Sequence, residues 1–78
     1  MKFQIKNRWT AAVIFECEAD SLWLAVEMAI SKSISLSYAN LRAANLSYAN
    51  LRAADLSAAD LRDANLRAAY EKAHPRAN

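Results

Sequence analysis

A leucine stands at every fifth position from Leu36 to Leu66, through Leu41, Leu46, Leu51, Leu56 and Leu61. Alanine lies two residues before each leucine from Ala39 to Ala64, and Asn or Asp lies immediately before each from Asn40 to Asn65. The repeating unit is A-[N/D]-L-x-x. On an α-helix a step of five turns by about 140°, which would scatter the leucines around the whole cylinder. On a flat strand the same step alternates faces. Alanine and leucine favour helix by propensity, but a fixed period outranks that preference because it marks a stacked repeat. A chain that turns a corner every five residues brings every leucine to one axis, and such coils stack through backbone hydrogen bonds about 4.8 Å apart.

The first third of the chain has different patterning. Lys2–Lys6 alternates polar and apolar residues, as a half-buried strand does. Val13–Glu18 alternates less cleanly and predicts a second strand with Val13, Phe15 and Cys17 on one face. Asn7-Arg8-Trp9-Thr10 fits a four-residue hairpin loop, with Asn tolerant of left-handed geometry. Asp20 or Ser21 then caps a helix running to Lys32. Leu22, Ala25, Val26, Ala29 and Ile30 line one side of that helix, with Trp23 and Glu27 on another. A two-stranded hairpin is marginal alone, so residues 1–33 read as a ββα capping segment whose helix covers the open first coil. Residues 34–70 are the array. Residues 71–78 are a tail or short cap, because the helix-forming stretch Leu66–His74 is stopped by Pro75.

The array resembles the pentapeptide-repeat family: six full A-[N/D]-L-x-x units run from Ala39 to Ala68, preceded by Ile34-Ser35-Leu36-Ser37-Tyr38. The resemblance implies a mainly β fold, a short right-handed quadrilateral β-helix with four pentapeptides per coil and fewer than two coils in all. Leucine and the small residue two before it would face inward. Residues twenty apart would stack, Leu36 on Leu56, Leu41 on Leu61 and Leu46 on Leu66, with Arg42 over Arg62, Arg52 over Lys72, and Asn45 over Asn65 in an amide ladder. The chain departs from the family in having no glycine, where many members place one just before the alanine; Tyr38 and Tyr48 occupy that outward site. Family members include inhibitors and protectors of DNA gyrase, some of which imitate duplex DNA.

Size and charge narrow the reading. A 78-residue chain is one small domain that buries about 60% of its unfolded surface. The net charge is +2, and residues 1–33 balance to zero, so direct nucleic-acid binding is not expected. Cys17 is the single cysteine, which fits a reducing cytoplasm. No apolar run reaches about 18 residues, so no membrane association is expected.

The candidate chemistry is sparse. His74, the one histidine, has no ligand cluster beside it. Cys17 reads as a packed small hydrophobe. Asp55 and Asp60 hold the position before leucine, where Asn serves equally well, and a Leu/Ala core offers no pocket to perturb a carboxyl. With no glycine there is no phosphate-cradling loop. The chain therefore predicts a non-catalytic protein with no cofactor and no metal. Tyr38, Tyr48, Arg42, Arg52, Arg62 and Arg67 form the candidate interaction surface; the competing reading is a solvated face with salt links to Asp55, Asp60, Asp63 and Glu71. Trp9 is a further recognition candidate, whereas Trp23 fits half-buried packing. A protein partner is expected. One function is inhibition of a nucleic-acid-handling enzyme, as a gyrase-protector-like or phage anti-CRISPR-like protein. The other is a self-assembling module, a homodimer joined through Leu56, Leu61, Leu66 and Tyr70.

Overall fold

The computed structural model describes residues 1–52, 54–67 and 69. Strand β1 (Lys2–Lys6) pairs antiparallel with β2 (Val13–Glu18), and helix α1 (Leu22–Ser31) follows. These are the predicted elements, with the helix one residue shorter at its C-terminal end. The Ser21 side chain caps α1 by accepting the Leu24 N–H. At the other end the Ser33 N–H bonds to the Ile30 carbonyl and the Ile34 N–H to the Ala29 carbonyl, with Ser33 at φ 61°. This is the paired-bond exit in which glycine is the customary left-handed residue.

Two details of the hairpin differ from the sequence reading. Asn7 and Ala12 pair through the Asn7 N–H, so the loop runs Arg8–Ala11 and turns at Ala11, φ 64°. Register also shifts between Ile5 and Lys6, where Ile5 faces Phe15 but Lys6 faces Val13. Ile14 is the extra residue of a bulge. A bulge re-aims the side chains beyond it, so Ile14 packs toward the core while Val13 faces solvent at 48% exposure. Simple alternation could not reveal this.

The leucine period appears as stacking at a spacing of twenty residues. The N–H groups of Leu36, Leu41 and Leu46 donate to the carbonyls of Asp55, Asp60 and Asn65, and the returning bonds run from Asp60 to Ala39 and from Asn65 to Ala44. Asn40 pairs in parallel with Asp60, and Asn45 with Asn65. Leu36, Leu41, Leu46, Ala39 and Ala49 are buried, in one cluster with Ile5, Val26 and Ala29. Residues 1–33 meet the first coil in two ways. Helix α1 brings Val26 and Ala29 onto the leucines. The end of β1 and the start of the hairpin loop pair with the coil's edge, through Asn40 N–H to the Lys6 carbonyl and Arg8 N–H to the Tyr38 carbonyl. The sequence reading assigned this contact to the helix alone. Leu56, Leu61 and Leu66 in the second coil are only partly buried.

Candidate interaction surface

Each pentapeptide is built from two local hydrogen bonds. The alanine N–H returns to the leucine carbonyl three residues earlier, at 3.0 to 3.1 Å for the six turns from Leu36 to Ala64. The residue before that alanine has positive φ: Tyr38, Ala43, Tyr48, Ala58 and Asp63 lie between 58° and 66°. A turn of this kind requires a left-handed third residue, which glycine supplies without steric cost. The absent family glycine is thus replaced at the one backbone position where it would be easiest to accommodate.

The Asn or Asp before each leucine makes the second bond. Its side-chain oxygen accepts the N–H two residues on, at 3.0 to 3.2 Å from Asn40 to Asn65. Ser35 does the same for Ser37. These side chains form corners, which explains why Asn and Asp interchange. The Asn45 and Asn65 oxygens are used in their own corners, not in the expected amide ladder.

Asp60 stands apart from its equivalents. It is buried, at 6% exposure, whereas Asn40, Asn45, Asn50 and Asp55 are exposed. Arg62 grips it with Nε on Oδ1 at 2.9 Å and Nη2 on Oδ2 at 2.8 Å. Arg8 arrives from the hairpin loop, its Nη1 donating to the Ala58 carbonyl at 2.8 Å and its Nη2 lying 4.0 Å from Asp60. The Arg62 hydrogen bond holds the Asp60 carboxyl well below the usual carboxylate range, against the opposing effect of burial. Asp60 in turn raises the Arg62 guanidinium. Asp55 is lowered first by its bond from Ser57. Of the expected salt links, Asp60 with Arg62 is present; Asp55 is bonded by Ser35 and Ser57 instead.

Tyr38, Tyr48, Arg42, Arg52, Arg62 and Arg67 are all exposed, as expected. They do not converge on one patch. Ala43 N–H bonds to the Arg62 carbonyl and Tyr48 N–H to the Arg67 carbonyl, which puts Arg42 with Arg62 on one segment and Tyr48 with Arg67 on the next. Arg52 belongs to the segment after that. Lys6 and Arg8, which the sequence reading did not place at this surface, stand beside Asn40 and Tyr38 because the hairpin extends along the coil. Trp9 sits on this loop at 73% exposure, its ring 4.7 Å from the Arg8 guanidinium carbon. Tyr70, Lys72, His74 and the C-terminal capping stretch lie outside the described residues, apart from Ala69, which is buried in the core cluster.

Stacked corners at twenty-residue spacing, with leucine and alanine inside, define a repeat protein of the β-helix class. Residues 34–70 match the family model for pentapeptide repeats, in eight copies, so that segment is a pentapeptide-repeat array. No curated protein and no solved structure matches the chain. Among the described residues no helix is long and apolar enough to cross a membrane, and no group of His, Cys, Asp and Glu is placed to hold a metal ion.

Proposed function

We propose that this chain is a non-catalytic, macromolecule-binding protein acting in the cytoplasm. In this reading residues 34–70 form a short right-handed quadrilateral β-helix, residues 1–33 cap its first coil, and the outer surface occupies another protein. The supporting observation is the division of labour within each pentapeptide. Leucine and alanine fill the inside and Asn or Asp closes the corner, so the remaining positions alone carry recognition chemistry. Those positions hold Tyr38, Tyr48 and the arginines, residue types enriched at interface hot spots. The target is an enzyme that handles nucleic acid, which the protein inhibits in the manner of the gyrase protectors or of a phage anti-CRISPR. Affinity capture from the native host lysate, followed by a turnover assay of the retained enzyme with and without added protein, tests this. Retention of a nucleic-acid enzyme and loss of its turnover are expected; retention of nothing would overturn it.

The partial burial of Leu56, Leu61 and Leu66, against the full burial of Leu36 and Leu46, favours a second reading. Here the partner is a second copy, docked end to end on the second coil as a homodimer with Tyr70 at the contact. Light scattering separates the two readings, since self-assembly requires a mass that rises with concentration in the absence of any host component.

A further inference from the structure

The hairpin loop holds its most apolar residue outward. Asn7 Oδ1 accepts the N–H groups of Trp9 and Thr10, Thr10 Oγ1 accepts that of Ala12, and Arg8 N–H is bonded to the Tyr38 carbonyl. The loop backbone is tied at four points while the indole of Trp9 remains 73% exposed. Its face is stacked with Arg8, and Arg8 is anchored in turn on Ala58 and beside Asp60. The exposed ring of Tyr38 belongs to the residue whose carbonyl holds Arg8.

Around this pair basic residues predominate, although exposed Asp55 lies on the adjoining turn, bonded by the Ser57 whose carbonyl takes the Tyr38 N–H. The end of β1, the Tyr38–Arg42 segment and the Ala58–Arg62 segment lie side by side through the Asn7–Ala39 and Asn40–Asp60 bridges. Lys6, Arg8, Arg42 and Arg62 border them against the buried Asp60, with Asp63 beyond Arg62. We infer that Trp9 and Tyr38, flanked by Lys6 and Arg42, form a docking surface for an acidic protein segment whose apolar side chains pack against the indole. A preorganised aromatic anchor within a complementary charged rim is the arrangement of an interface hot spot. Protein is favoured over nucleic acid by charge. Arg62 is engaged by Asp60 and Arg8 by Ala58, which leaves Lys6 and Arg42 without an acceptor among the described residues. Two phosphate contacts would give a salt slope of only about −1.4 to −1.8, too shallow to hold a strand.

This inference rests on the macromolecule-binding reading and deepens it by naming the partner's chemistry. The test follows the Trp9 indole N–H by NMR in the full chain while three probes are titrated: an Asp/Leu peptide, its Lys/Leu counterpart and an oligothymidylate. The acidic peptide alone is expected to move the Trp9 signal. Affinity should fall with added salt, and Trp9→Ala or the pair Lys6→Glu and Arg42→Glu should weaken it by about tenfold or more. All these positions are exposed, so thermal melts of the variants should match that of the unaltered protein. Preference for the basic peptide or the oligonucleotide, or undiminished affinity in the variants, would overturn the inference. No response to any probe at millimolar concentration would overturn it too. If the unaltered protein and Trp9→Ala retained the same host protein equally well, the surface would be wrong while the binding reading stood.

Discussion

At the scale of single residues, each repeat position answers a separate physical demand. The left-handed corner is the most exacting, because an L-residue with a side chain there costs about 1–2 kcal/mol where glycine costs nothing. Ala58→Gly should therefore raise stability by up to about 1 kcal/mol, the relief of strain being partly offset by the greater freedom of glycine in the unfolded chain. Ala49→Gly, at a buried inward position without positive φ, should lower stability; thermal melts of the two variants compare the sites directly. Asp60 is the most depressed of the carboxyls that shape the acid behaviour, Glu16 and Asp55 being lowered as well. Its carboxyl is depressed in the folded state, so the stability it contributes is complete above the ordinary carboxylate pKa near 4 and is lost as pH falls through the folded value. Denaturation followed between pH 5 and about 2 should show this loss, and Asp60→Asn should flatten the curve. The sequence displayed the Asn/Asp position clearly, and its corner role could be read from it. It did not display the burial of Asp60, because the residues that cover and pair it include Arg8 from the hairpin loop.

At the scale of elements, the strands and helix were legible because each carried its own local signal: alternation for β1, a Ser cap and an apolar stripe for α1. The bulge at Ile14 and the pairing of β1 with the coil were not, since both arise from fitting one element against another. Two tertiary bonds make that fit testable. The Glu27 carboxylate accepts the Asn50 N–H at 2.7 Å, replacing the backbone partner a preceding coil would have supplied. Glu27→Ala should cost about 1–2 kcal/mol, and Glu27→Gln, which keeps an acceptor, should cost less. Arg8→Ala removes the bond to Ala58 and should cost a similar amount, about 1–2 kcal/mol, in a chemical denaturation midpoint. Inside the stack, Leu46→Ala should cost about 2–5 kcal/mol, whereas Arg42→Ala, exposed on the same coil, should cost less than about 0.5 kcal/mol.

At the scale of the whole molecule, the array and residues 1–33 share one core and are expected to unfold together. Ile5, Val26 and Ala29 share a core with Leu36, Leu41 and Leu46, so a fragment of residues 34–78 exposes side chains worth about 1.5–3 kcal/mol each when buried. Against a total stability of about 5–15 kcal/mol, that fragment should show no cooperative melt. The stacked fold was visible in the leucine period because every repeat restates it. The surface proposed for docking was only half visible, since residues 6–9 and 38–42 have no sequence spacing to link them. The most direct test is a nuclear Overhauser spectrum of the intact chain. Stacked coils predict backbone contacts between Asn40 and Asp60 and between Asn45 and Asn65, with the Leu41 and Leu46 amides protected from exchange. A continuous series of helical contacts between residues three and four apart from 36 to 66, with no contact at a separation of twenty, would contradict it.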